Sequence, residues 1–165
     1  MIFVTAKSAL TILMRRFVLA ALFAVFAVPA AAAHSASLRA DKVFLREGPT
    51  YQYRILYVYK RKDYPVQIIA SYQSWRRVRD VDGTTGWISQ MMLSDARTVL
   101  VTGKSHAAIR AQPYATAALR AWADPGVVAK LKACKPQFCE IVADGTRGWI
   151  DRSRIWGVDA GEIVD

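Results

Sequence analysis

Cys134 and Cys139, in the segment Cys-Lys-Pro-Gln-Phe-Cys, are the only cysteines of the chain, and His34 and His106 are the only histidines. These four side chains bound its reactive chemistry. A structural metal needs about four ligands, and neither histidine stands at a Cys/His spacing that would complete a site. A thiol nucleophile needs a partner histidine held by a catalytic domain. His106 precedes both cysteines, and no such domain surrounds it. No paired carboxylates in a plausible cleft, no Ser-His-Asp set and no phosphate-cradling glycine loop stand elsewhere. The sequence carries no catalytic reading and calls for no cofactor and no metal. What remains for the cysteines is a disulfide or two free thiols, a choice that the compartment decides.

The other chemistry on offer is recognition. Tyrosines and tryptophans gather between Tyr51 and Trp87. Within Trp75-Arg-Arg-Val-Arg79, alternation along a strand puts Trp75, Arg77 and Arg79 on one face and Val78 on the other. Val78 suits a core, so the other three are expected to form an exposed ladder of one ring and two cations. Aromatic rings stack on sugar faces and on peptides, and guanidinium forks pair with carboxylates. Arg46, Tyr51 and Tyr53 join the ladder as candidate ligand contacts. Arg46 enters a loop, where a guanidinium either bonds loop carbonyls or reaches a ligand, and Arg110 faces the same choice.

The elements that hold these residues come in two copies. Val81-Asp-Gly-Thr-Thr-Gly-Trp-Ile88 matches Ala143-Asp-Gly-Thr-Arg-Gly-Trp-Ile150 at an offset of 62 positions. Upstream, Phe44-Leu-Arg-Glu-Gly-Pro49 matches Ala108-Ile-Arg-Ala-Gln-Pro113 at an offset of 64. Between these pairs, Trp75-Arg-Arg-Val78 corresponds to Phe138-Cys-Glu-Ile141. Three landmarks in one order at nearly one offset make a tandem repeat of about 60 residues. Asp82-Gly83 and Asp144-Gly145 are hairpin signals, and the flanking segments are rich in β-branched and aromatic residues. No helical stripe appears outside the N-terminal segment. Modules this small must close their sheets to bury enough surface, which predicts five-stranded barrels. Thr98–Val101 and Glu162–Val164 are expected to close the first and second barrels. The predicted modules span residues 38–102 and 103–165, joined by a linker short enough to leave them touching or nearly so.

The N-terminal segment differs in kind. Arg15-Arg16 precede an apolar run from Phe17 to Val28, then Pro29 and a run of alanines. That pattern is a secretory signal peptide, with cleavage expected after Ala33. The run is too short to span a bilayer, so no stable membrane span is expected after cleavage. Met14 offers an alternative start within it. An exported chain with one close cysteine pair is most simply a disulfide protein. Residues 1–33 hold three basic and no acidic residues, so their loss takes the chain from +10 to 20 basic against 13 acidic, a net +7. Such a charge outside the cytoplasm favours polyanions of the envelope, and export removes nucleic acid from consideration.

The landmarks resemble those of the bacterial SH3-like (Src-homology-3-like) domain of exported proteins. Arg46-Glu-Gly-Pro49, Trp75 with Val78, and Asp82-Gly83…Gly86-Trp87-Ile88 carry the resemblance in the first copy. Ile109-Arg110 with Pro113 and Gly145…Gly148-Trp149-Ile150 carry it in the second, where Gln112 stands in place of Gly48. The resemblance implies an all-β chain of two tandem small barrels, periplasmic or extracellular, that binds cell-wall or protein ligands without catalysis. Peptidoglycan is the leading partner and another envelope protein the alternative. The copies differ in charge: Arg39 to Ser94 carry a net +5 and Thr98 to Asp165 a net +2. Phe138, Glu140 and Val142 occupy the positions of Trp75, Arg77 and Arg79. The first copy is therefore expected to bind and the second to brace it.

Overall fold

A computed structural model describes residues 34–159 and 161–164, so the expected signal peptide lies outside the described residues. Two seven-stranded antiparallel sheets account for the rest. The first comprises β1 (His34–Leu38), β2 (Val43–Arg46), β3 (Ile55–Tyr59), β4 (Pro65–Tyr72), β5 (Trp75–Arg79), β6 (Thr85–Ser89) and β7 (Leu93–Ser94). The second comprises β8 (Thr98–Val101), β9 (Ala107–Arg110), β10 (Leu119–Ala123), β11 (Val128–Cys134), β12 (Phe138–Ala143), β13 (Thr146–Asp151) and β14 (Ile155–Trp156). The strand orders, β3-β2-β6-β5-β4-β1-β7 and β10-β9-β13-β12-β11-β8-β14, are the same order repeated. Only single turns of 3-10 helix, at Gln90–Met92 and Arg152–Arg154, interrupt them.

The repeat is as the sequence indicates, but the closing strands are not. Thr98–Val101 does not close the first module: β8 pairs with β11 and β14 and opens the second sheet, as β1 opens the first. The two sheets part between Ser94 and Thr98, short of the expected boundary at residues 102–103. The second sheet ends on β14, and Val164 makes only an isolated bridge to Cys134. A short apolar run announces a strand without announcing its partner. All four residues of β8 are buried, because one face meets the core and the other meets the first module. Seven strands replace the expected five because β7 and β14, at two residues each, are too short to show a period.

Each sheet wraps its own core. Leu38, Val43, Leu45, Val66, Val78 and Ile88 fill the first. Val99, Val101, Ile109, Ile141 and Ile150 fill the second, with the cystine among them. The glycine of each Gly-Trp-Ile motif permits this closeness. A Cβ on Gly86 would meet Leu45 Cγ at 2.6 Å and the Arg46 carbonyl oxygen at 2.8 Å, and Gly148 faces Ile109 and Arg110 in the same way.

The two Asp-Gly turns differ. Asp144 and Gly145 both adopt positive φ, 45° and 81°, giving the two-residue hairpin turn that Asp-Gly favours. The first copy's loop is one residue longer, and only Gly83 turns left-handed. There the Asp80 carboxylate accepts from the backbone N–H groups of Asp82 and Thr84 and holds the loop.

The modules touch through polar contacts. Ser35 Oγ donates to the Gly157 carbonyl at 3.1 Å, and Thr98 Oγ1 to the Asp63 carbonyl at 2.8 Å. Arg61 reaches the Gly126 carbonyl at 2.6 Å, and Gln67 reaches Asp159 at 3.2 Å.

Cys134 and Cys139 are bonded across the β11–β12 hairpin, with Cα atoms 4.1 Å apart. The loop they close is short, so the cross-link stabilises by about 2 kcal/mol on the chain-entropy account. Replacing both by Ala should lower the unfolding free energy from urea titration by about that amount without abolishing the cooperative transition. Mass spectrometry of the unreduced protein should find two hydrogens missing, and ready alkylation without reductant would contradict the bond.

A candidate ligand face on the first module

Strand register decides which side chains share a surface. On the first sheet, Arg46 of β2 stands opposite Trp87 of β6, which stands opposite Arg77 of β5. Cross-strand partners point to one face. Ile88 beside Trp87 and Val78 beside Arg77 are buried in the core, so this row lies on the outer surface. It sets one half-buried indole between two guanidinium-bearing residues. Arg79 continues along β5, exposed, with Nη2 donating to Gln67 Oε1 at 3.1 Å.

Trp75 lies on the same side of β5, but it is not an exposed rung. It is 6% exposed, because the Tyr51 ring covers it edge-on with centroids 5.0 Å apart. The expected ladder is corrected to Arg77 and Arg79, with Trp87 as the ring at the surface and Tyr51 as a lid on Trp75. Strand alternation assigns a side, but a loop can return over it. Beside the row lies a small pocket of about 110 Å³, whose walls include Lys42, Phe44, Arg46, Tyr51 and Trp75. Lys42 Nζ sits 5.3 Å from the Phe44 ring centre, and the Arg46 guanidinium carbon 5.9 Å from it and 5.6 Å from that of Tyr51. Cations held over ring faces in this way gain attraction from the ring quadrupole.

Arg46 also organises its loop. Its Nη1 donates to the carbonyls of Tyr51 and Tyr53, at 2.9 and 2.8 Å. Arg110 repeats this in the second copy by donating to the Ala117 carbonyl at 2.9 Å. The pairing explains the Gln112 anomaly. In the first copy the Tyr53 ring lies on Gly48, where a Cβ would sit 2.5 Å from it. In the second copy Ala117 takes the place of Tyr53, no ring needs that space, and Gln112 fits.

The second module presents a different face at the same positions. The row Arg110–Trp149–Glu140 replaces one arginine by a carboxylate. Glu140 accepts two hydrogen bonds from Arg147, at 2.9 and 2.8 Å, which hold its carboxyl below the ordinary carboxylate range. Lys135 Nζ lies 5.4 Å from the Trp149 ring centre. Ala115 stands where Tyr51 does, and it lines an open hollow of about 750 Å³ together with Phe138, which is buried like Trp75.

A further cluster was not visible in the sequence. Tyr59 is buried and donates from its hydroxyl to Asp80 Oδ2 at 2.9 Å, with Tyr57 and Tyr64 against its ring. Burial pushes its ionisation well above the usual range, and the Asp80 hydrogen bond adds to this. Burial, then the charges of Asp80 and Asp82, push Tyr64 up to about 12. Unfolded tyrosines titrate near 10, so above that pH the unfolded chain releases protons that the folded chain keeps. Stability is full below about pH 10 and falls as pH rises from there through 12. Urea midpoints followed by far-UV circular dichroism should drop across that window, and drop less in Tyr64→Val. An unchanged slope in the variant would contradict the assignment. At the acid end the sign reverses. Hydrogen bonds from Arg147 and Arg97 depress Glu140 and Glu162, and the stability they supply is lost as pH falls below the ordinary carboxylate range.

His106, just before β9, pairs with Asp124, just after β10, in the second module, whereas His34 begins β1 of the first. Among the described residues no three His, Cys, Asp or Glu side chains gather as a metal site would require, and no helix is long and apolar enough to cross a membrane.

Comparison with solved structures finds NlpC2 from Trichomonas vaginalis at 18% identity and a TM-score of 0.35, the match covering 78% of this chain and 51% of that one. NlpC1 from the same organism matches at 18% identity and a TM-score of 0.34, covering 78% and 49%. The chain spans about half the length of these proteins. No curated protein matches it. The model of the bacterial SH3 domain, a binding domain, matches residues 39–95 and again 103–157, each match beginning just after the first strand of its sheet. With two tandem matches over most of its length, the chain belongs to the bacterial SH3 domain family.

Proposed function

We propose that this chain is an exported, non-catalytic binding module of the cell envelope whose ligand is peptidoglycan, held on the outer face of its first module. The observation that carries the reading is the row Arg46–Trp87–Arg77 with the cation-lined aromatic pocket beside it. An indole and phenol rings offer stacking surfaces for sugars, and the exposed guanidinium groups of Arg77 and Arg79 offer donors for stem-peptide carboxylates. The disulfide and the net +7 of the chain after residue 33 suit an oxidising compartment bounded by polyanions. The second module supplies the contrast within one molecule, since its equivalent row is neutralised by Glu140.

One observation favours the alternative, an adaptor that binds an envelope protein. Strand β3, with sequence Ile-Leu-Tyr-Val-Tyr, is an edge strand, and its first three residues are exposed. An exposed apolar edge is a template for an added strand. A pull-down from envelope extract, with and without muramidase digestion, separates the two. Recovery of wall fragments that digestion removes supports peptidoglycan, and recovery of a protein that survives digestion supports the adaptor.

A further inference from the structure

The tyrosine cluster of the first module opens on a pocket of about 260 Å³. Tyr59 and Asp80 form its floor, and Tyr57 and Tyr64 its walls. Tyr57 meets Tyr59 edge-on at 4.8 Å between centroids, and Tyr64 stacks on it at 5.6 Å. Tyr57 is 53% exposed, so its ring is available to a ligand. The rim carries both signs of charge, and they come from different turns. Asp82 belongs to the β5–β6 turn, and Lys60 and Arg61 to the turn after β3. Arg61 is pinned by its bond to the Gly126 carbonyl.

The fold does not need this cluster. In the second module, Ala121 opposes Ile109 as Tyr57 opposes Leu45, and Ala123 opposes Ala107 as Tyr59 opposes Val43. Val127 accepts from the Val101 N–H as Tyr64 accepts from that of Leu38. Ala143 stands two residues beyond Ile141 as Asp80 stands two beyond Val78. Three rings and a carboxylate are thus replaced together by small apolar residues, and the same sheet still forms.

We propose that this pocket is a second binding site, for a zwitterionic amino-acid head group. The ammonium lies against the faces of Tyr57 and Tyr64 beside Asp82, and the carboxylate lies toward Lys60 and Arg61. Aromatic faces with an adjacent carboxylate are the setting in which desolvated cations are held. A bare cation would gain from one rim and lose to the other. A ligand carrying both charges satisfies both rims. The site lies apart from the Arg46–Trp87–Arg77 row and does not depend on the wall ligand proposed above.

Titration of the purified protein with norleucine, followed by NMR, tests the assignment against pentylamine (ammonium only) and hexanoate (carboxylate only). Norleucine should give saturable shifts at Tyr57, Tyr64 and Thr84 in the millimolar range, with each single-charge probe weaker by about tenfold. Tyr57→Ala with Tyr64→Val, the residues that the second module carries, should weaken norleucine binding by about tenfold as well. The comparison of probes on the unmodified protein stands whether or not that variant folds. Absence of saturable shifts, shifts confined to another surface, or equal binding of pentylamine and norleucine would overturn the proposal.

Discussion

Gly86→Ala is expected to destabilise the first module by about 3 kcal/mol or more, a loss at the upper end for a single small-to-large change. The added methyl would stand 2.8 Å from the Arg46 carbonyl oxygen and 2.6 Å from Leu45 Cγ. Leu45 is fully buried, and the carbonyl belongs to a paired strand, so neither can retreat cheaply. Gly148→Ala should act alike in the second module, where the new methyl would stand 2.7 Å from the Arg110 carbonyl oxygen. Gly145→Asn is the contrast. Its φ of 81° suits Asn, and nothing lies within 4 Å of a Cβ there, so the cost should stay below about 1 kcal/mol. Urea unfolding of the three variants checks the order. A mild Gly86→Ala would mean that the two strands pass with more freedom than these distances allow.

The second large effect concerns binding rather than folding. Arg77→Glu with Arg79→Glu is expected to abolish retention on the wall. Both arginines are exposed, and neither contributes to a core, so the unfolding free energy should move by no more than about 0.5 kcal/mol per site. Glu140→Lys is the control in the second module. It breaks the ion pair with Arg147 and should trim stability slightly while leaving retention intact. Loss of folding in the double variant would make the arginines structural. Undiminished retention would move the ligand elsewhere.

Much of the architecture is legible before any coordinates, because repetition supplies its own alignment. The Asp-Gly turns, the Gly-Trp-Ile strands and the β-branched segments between them report local backbone preferences, which a sequence displays directly. Strand partnership is a different matter. Thr98–Val101 reads equally well as the last strand of one module or the first of the next, and only its bonds to β11 and β14 decide. The face at Arg77 and Arg79 follows from alternation, whereas the fate of Trp75 does not. Its burial depends on Tyr51, 24 positions away along the chain, folding back across it. The union of Tyr59 with Asp80 is hidden for the same reason. The two residues lie on β3 and just after β5, and nothing in either segment names the other. One signal was available: the tyrosines at 57, 59 and 64 and the acid at 80 all vanish together in the second copy.

Cosedimentation of the purified protein with purified peptidoglycan, across a range of salt concentration, tests the proposed ligand. Pelleting at low salt that fades as salt rises is expected, because the exposed guanidinium groups of Arg77 and Arg79 are screened within a Debye length of about 8 Å at physiological ionic strength. No pelleting at low salt would contradict it.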